Sequence, residues 1–266
     1  MMRGTIHESS WVSPNARLGT GVTIGPMSVV HDGVALGDEA FVGSNVVLGE
    51  PTEDFYHSPS YEPKPCRIGR GAVIRSHSVV YAGVTIGDNF SSGHHVTIRE
   101  GTQLGVNVQV GTQSDIQGRL QIGDYTRIHS GVFVAQDTFI EEFVWIFPHA
   151  VLTNDPHPPS DTCTKGPTLR RFSVIGAHAT IMPAVEVGAG ALVGAATLVR
   201  HDVPPDAVVV GVPGRVVGTT AEITCHDGRL EQVYPWWTHF RRGYPDGVLP
   251  EIDGGVGGAS GPGNRS

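Results

Sequence analysis

Lysine is nearly missing from this chain of 266 residues: Lys64 and Lys165 are the only two, and charged residues of all kinds make up 17%. Long helices draw heavily on Lys, Glu, Leu and Ala, so a chain short of lysine whose aliphatics are mostly Val and Ile is expected to form few of them. Cysteine is scarce as well. Cys66, Cys163 and Cys225 cannot pair completely and show no CxxC spacing, which fits a reducing compartment better than a disulfide scaffold. No apolar run approaches the roughly 20 residues of a membrane span. The opening MMRGTIHESSWV lacks the apolar core of a signal peptide, so a soluble, cytoplasmic protein with no membrane partner is expected. Basic residues are outnumbered 18 to 26, for a net charge of −8. That excludes a general polyanion binder held by a basic surface, so no nucleic acid is expected and any anionic ligand must be met locally. What the chain has in excess is glycine, 36 residues, and proline, 19, a composition that leans toward β-structure with many tight turns.

Aliphatic residues recur at intervals of six in three phased runs. The first is Val12, Leu18, Ile24, Val30, Leu36, Val42 and Leu48. The second holds its phase from Ile68 to Leu152 and is broken only by Ser92; the third runs Ile175, Ile181, Val187, Val193, Val199. Two residues before each marked position stands another small or apolar residue, such as Ala72, Val84 or Val96, and strand alternation turns both inward. Glycine often follows the marked position, as at Gly69, Gly87, Gly105 and Gly123, which is read as the chemistry of tight turns with positive φ. Each hexad is then a short strand plus a corner. Three corners close a coil of about 18 residues, and stacked coils satisfy the backbone by parallel pairing around a narrow aliphatic core.

Hexads such as VTIGDN, LQIGDY and VEVGAG resemble those of the hexapeptide-repeat acyltransferases. The resemblance covers roughly residues 6 to 218 and implies an all-β fold, a left-handed parallel β-helix with two inserted loops and a C-terminal tail. Its handedness comes from the resemblance alone, because the usual rule for parallel crossovers is right-handed. The solenoid domain is expected to span residues 1–218. Loops should leave it at 50–66, rich in Pro and aromatics, and at 153–172, rich in Pro, Thr and charge. The stretch VRHDVPPDAVVVGVPGRVVG resembles the family's closing signature, a strand crossing the end of the helix near bound coenzyme A. A tail, 219–249, concentrates Tyr234, Trp236, Trp237, Phe240 and Tyr244 beside Arg241 and Arg242. It is read as packing on the solenoid, with stacking on a nucleobase as the alternative. Residues 250–266 are expected to be disordered.

Residues 18 apart should lie one above another. His77, His95, Gln113, Gly131 and His149 then share a column, with His129 two residues from Gly131, either a polar groove or ordinary surface and interface histidines. Another column runs Gly69, Gly87, Gly105, Gly123 and then Glu141, where a carboxylate breaks a run of glycines. Glu141 is either a holder of a substrate amine or a solvated turn residue. Phe133, Phe139 and Trp145 point outward around the same level and need a cover. The resemblance supplies one, since the family forms trimers with active sites between subunits.

The resemblance implies acyl transfer from a coenzyme A thioester to a hydroxyl or amine, with acetyl-CoA as cosubstrate and no metal. Gly176 with Ala177, and Gly194 with Ala195, would flank the pantetheine chain, and Arg200 and Arg215 would meet the phosphates. The base candidates are His129, His149 and His157, the last in TNDPHPPS, which resembles a loop of the galactoside and maltose acetyltransferases. The run QDTFIEEFVWIFPHAVLTNDPHP is closer to sugar-nucleotide N-acetyltransferases acting on 3-amino sugars. There Glu141, Asn154, Asp155, His95 and Arg170 would position a dTDP- or UDP-linked amino sugar. The expectation is a homotrimeric N-acetyltransferase for polysaccharide or natural-product sugars. The alternatives are a sugar O-acetyltransferase and a metal hydratase like the γ-type carbonic anhydrases, although the paired histidines of the latter are missing: His94 and His95 are adjacent.

Overall fold

A computed structural model describes residues 4–160 and 162–250. Its two compact units are residues 1–220 and 221–266, so the solenoid unit ends two residues beyond the expected boundary. The disorder expected for 250–266 falls, from residue 251 onward, outside the described residues.

The first unit is a parallel β-solenoid of three sheets, each extended by one two-residue strand per coil. Face 1 begins with Trp11–Val12, face 2 with Arg17–Leu18 and face 3 with Thr23–Ile24. Register is eighteen residues per coil, as in Thr97 with Asp115 and Gln103 with Gln121. Corner N–H groups donate to the neighbouring coil's carbonyls, for example Gly87 to Leu104 at 2.9 Å and His129 to Ile146 at 2.8 Å, so the ladder continues through the corners. The marked aliphatics form the core, Ile74, Ile98, Ile116, Ile140, Ile146 and Leu152 among its most buried side chains. Ser92, the exception in the series, is buried because its hydroxyl accepts the Arg75 N–H at 2.9 Å.

Glycine plays a different part from the one expected. Positive φ falls three residues after the marked aliphatic, at Asn89, Asn107, His77, Gln113 and Phe143 and at glycines such as Gly71 and Gly131, and, Gly49 apart, not at the glycines that follow it directly. Those glycines permit close approach. A Cβ on Gly87 would lie 2.7 Å from the carbonyl carbon of Gly105 and 2.8 Å from the Val106 nitrogen, inside the next coil's backbone.

Two excursions break the stack. The first joins Val47–Glu50 to Cys66–Ile68 and contains one helical turn, Asp54–His57. The second is shorter than expected: Thr168–Leu169 already pairs with Phe139–Ile140, so residues 168–172 belong to the solenoid and the loop is 153–167. Both leave the edge between faces 1 and 2. The far end is closed by Arg215–Thr219, which turns back antiparallel on Ala207–Val210. Within the second unit Trp236 meets Trp237 edge-on at 5.7 Å and Tyr244 at 5.7 Å. Among the described residues no helix is long and apolar enough to cross a membrane.

Because the glycine contacts are with backbone, they cannot be relieved by a rotamer change. Gly87→Ala is expected to destabilise the solenoid by about 1–3 kcal/mol, the range for overpacking, and Ile146→Ala by about 2–5 kcal/mol through cavity formation. Urea unfolding with an unchanged m-value measures both, and a Gly87→Ala midpoint equal to wild type would refute the close-approach role.

Candidate active site

The solenoid has three edges, and each gathers different chemistry. On the edge between faces 3 and 1, four successive corners are His129–Ser130–Gly131, Phe147–Pro148–His149, Gly176–Ala177–His178 and Gly194–Ala195–Ala196. A hydrogen-bond ladder ties them together: His149 N–H to Ser130 O at 3.0 Å, His178 N–H to Pro148 O at 3.0 Å, Ala196 N–H to Ala177 O at 2.8 Å. His129, His149, Gly176, Ala177, Gly194 and Ala195 therefore lie on one edge, across about 14 Å at ~4.8 Å per coil.

The imidazoles on this edge are held by rings. His129 stacks on Phe147 at 4.8 Å and lies 5.7 Å from Trp145, and the buried Ser114 hydroxyl donates to its carbonyl at 2.9 Å. Burial pushes the His129 imidazole below its ordinary pKa, because desolvation penalises the cation. His149 stacks on His178 at 5.0 Å. Gly131 makes room beneath: a methyl group built there would overlap the His149 ring. His178 had no place in the sequence columns because the second loop lengthens its coil, so that position 149 is followed not at 167 but at 178, as Val151 is by Thr180. Aligning the third aliphatic run under the second would have revealed it. His95 belongs to the same edge but stacks on His77 at 4.7 Å, three coils from His149.

The edge between faces 2 and 3 carries Glu141. Its Oε1 accepts from Arg170 at 2.9 Å and its Oε2 from the Arg171 N–H at 2.8 Å. Arg170 also donates to Glu186 at 2.7 Å, and the two carboxylates raise its pKa further, Glu186 foremost. Arg170 in return holds the Glu186 carboxyl below its usual range. The carboxylate that breaks the glycine column thus has an internal cation one coil on. It also ends an open groove of about 360 Å³ on face 2, lined by Gln103, Gln121 and Phe139. Tyr125, Phe143 and Phe172 stack along the same edge at 5.1 and 5.0 Å.

The edge between faces 1 and 2 carries both loops. Lys165 N–H donates to Asn154 O at 2.8 Å, closing the second loop's neck. Asp155 accepts from His157 N–H at 3.1 Å and Ser160 N–H at 2.8 Å, so its carboxylate builds the turn that exposes His157. Arg200 follows the face 1 strand Leu198–Val199 and shares this edge. Arg215 lies elsewhere, paired with Val210, whose side chain packs toward Gly194 at the top of the histidine edge. One chain therefore does not bring His129 and His149 together with Glu141 and Arg170, nor with Asn154, Asp155 and His157. The outward aromatics are divided likewise: Phe133 on face 1, Phe139 on face 2, Trp145 on face 3. Cys66 is buried, its thiol pushed up to about 12, and suits no nucleophilic role. Among the described residues no group of three or more His, Cys, Asp or Glu is placed to hold a metal ion.

Comparison with known proteins agrees with the repeat. A family profile, the hexapeptide repeat of succinyl-transferase, matches residues 15–50. The serine acetyltransferase of Salmonella typhimurium is 34% identical over 113 residues, 42% of this chain and 40% of that protein. The putative lipopolysaccharide biosynthesis O-acetyl transferase WbbJ of Escherichia coli is 29% identical over 128 residues, 41% of this chain and 65% of that one. The chain thus spans about two fifths of the length of the serine acetyltransferase it matches. Among solved structures, UDP-N-acetylglucosamine acyltransferase from Arabidopsis superposes with a TM-score of 0.65 at 19% identity, covering 81% of this chain and 74% of that one. The Campylobacter jejuni enzyme of the same name gives a TM-score of 0.52 at 19% identity, covering 81% and 75%. These structures share the fold.

The His129 environment has a pH consequence. Its folded pKa lies below the unfolded value of 6.5, so the unfolded chain binds more protons in that interval. The contribution to stability is complete above pH 6.5 and is lost as pH falls through the folded pKa. An NMR titration of the His129 ring is expected to show a midpoint below 6.5, and a midpoint at or above that value would contradict the packed arrangement.

Proposed function

From a solenoid built on the hexapeptide repeat, we propose that the protein is an acyltransferase that moves an acetyl group from acetyl-CoA onto the amino group of a dTDP- or UDP-linked amino sugar, working as a homotrimer. The observation that carries this reading is the single edge on which His129 and His149 stand below the small-residue corners Gly176–Ala177 and Gly194–Ala195, with His178 completing the first of these corners. A neutral imidazole and a smooth path for an extended amide chain are then only a few coils apart.

The chemistry needs a free lone pair, a route for charge and a proton acceptor. The acceptor nitrogen attacks the thioester carbonyl, the C–S bond breaks, the thiolate leaves, and the nitrogen's proton passes to an imidazole. Burial favours the unprotonated form of His129, and His149, oriented by the His178 ring, is the second candidate. The donor side fits in part. Gly176 already packs against the backbone of Gly194 and Ala195, so its smallness serves coil stacking first, and the same smallness leaves the outside of the edge open. Arg215 stands at its upper end. Arg200, Asn154, Asp155 and His157 lie on another edge and would join this one from a neighbouring copy. The outer row of face 1 supports such self-association in two apolar stretches, Trp11 at 52% exposure with Val29, Val47 and Val79, and Phe133 at 37% with Val151, separated by Thr97 and Asp115.

A second reading, transfer to a hydroxyl, is favoured by two observations. The serine and lipopolysaccharide relatives are named as serine and O-acetyl transferases. Glu141, the candidate anchor for an ammonium group, is already held by Arg170 and the Arg171 N–H.

Thiol release from acetyl-CoA, measured with UDP- and dTDP-linked amino sugars and with their hydroxy counterparts, separates the two. Turnover with the amino sugars is expected. Turnover confined to hydroxy sugars would establish the second reading, and none with either would reject acetyl transfer to this class. His129→Ala and His149→Ala are then compared, and the variant that removes the base is expected to lose about 10²–10⁴ in kcat with little change in KM. Gly131→Ala should act like His149→Ala by displacing its ring. Full activity in all three variants would remove the histidine edge from the mechanism.

A further inference from the structure

At the opposite end of face 2 the outer row begins Arg17, Ala35, Arg67, in register across three strands. Alanine in the middle leaves a gap between two guanidinium groups, a pocket of about 180 Å³ lined by Asn15, Arg17, Gly33, Ala35, Pro65 and Arg67 with the backbone of the intervening strand. Among the described residues neither Arg17 nor Arg67 takes part in an ion pair or side-chain hydrogen bond. All seven arginines from Arg70 to Arg171 do, to Asp88, Ser92, Glu100, Asp137, Asn107, Glu141 and Glu142 among others; Arg200, Arg241 and Arg242 do not, and what sets Arg17 and Arg67 apart is the pocket they share. The nearby carboxylate of Asp32 is engaged by the Ser13 hydroxyl. In a chain of net charge −8, two neighbouring cations left without internal acids call for negative charge from outside.

We propose that this pocket is a binding site for a phosphate group, gripped from both sides by Arg17 and Arg67. Two strand spacings put their Cα atoms roughly 9.6 Å apart. Forks that each form charge-assisted bonds of about 2.8 Å can then close on opposite oxygens of one tetrahedral anion. The site also gives the first excursion a purpose. Its last residues return along the pocket wall at Pro65, and the Lys64 carbonyl accepts the Gly83 N–H at 3.2 Å, which fixes that wall. The site is separate from the histidine edge. Arg67 lies four coils below His149, about 19 Å along the axis, and on a different face, so this proposal does not depend on the acyl-transfer reading.

Isothermal titration calorimetry of the full chain with inorganic phosphate and with pyrophosphate tests it. Arg17→Gln, Arg67→Gln, the double variant and Ala35→Glu are compared with wild type, and Arg242→Gln serves as a control for net charge. Wild type and Arg242→Gln are expected to bind alike and more weakly at higher salt. Each single variant should lose about tenfold or more in affinity, and the double variant should lose binding altogether. Ala35→Glu should do the same by supplying an internal carboxylate. Arg17 and Arg67 face solvent, so thermal melting of the double variant should match wild type even if Ala35→Glu folds poorly. Glucose 1-phosphate that displaces phosphate identifies an esterified ligand, and failure to displace identifies the free anion. No binding to wild type, or equal binding to the double variant, would overturn the proposal.

Discussion

Coil closure constrains every position in this molecule. A strand of two residues has little stability alone, and it persists here because both of its neighbours lie in register, with corner N–H groups satisfied one coil away. That requirement favours a branched aliphatic at the marked inward position, Ser92 being the exception, a residue tolerant of positive φ three places on, and often no side chain at all where two corners touch. Stability in such a stack is the sum of nearest-neighbour terms. A local defect is therefore felt mainly by the coils beside it, and an excursion of a dozen residues or more can be inserted wherever its two ends meet at a corner.

Outward positions are released from that constraint, and the three edges have diverged. One concentrates imidazoles and aromatic rings under glycine and alanine. Another concentrates the excursions and the charge pairs Arg99–Glu100 and Arg119–Asp137. The third carries a ladder of stacked aromatics and the Glu141–Arg170–Glu186 chain. A side chain's chemical neighbours are set by its residue number modulo one coil, and chain proximity counts for little: residues six apart occupy different edges.

The fold was legible because the aliphatic clock needs nothing but the sequence. The site was legible only where the clock ran unbroken. His129, Gly131 and His149 could be stacked by arithmetic, whereas His178 and the Arg170 partner of Glu141 lay beyond a loop whose length hid their register. Glu141 looked unpaired because its cation sits 29 residues away and one coil up. The role of glycine was misread for another reason. Composition shows that a side chain is missing but not whether torsion or close approach excludes it, and only the distance from Gly87 to the neighbouring backbone decides that.

The antiparallel return of Arg215–Thr219 carries a consequence for polymerisation. A parallel ladder that stops abruptly offers its last row of amides and carbonyls to any identical chain, and head-to-tail addition of that kind has no natural limit. Here the last strand of face 3 is reversed, Arg215–Thr219 running antiparallel to Ala207–Val210. An incoming parallel coil would meet a reversed hydrogen-bond pattern on that face, so this end is a poorer template for head-to-tail growth than an unbroken parallel ladder would be.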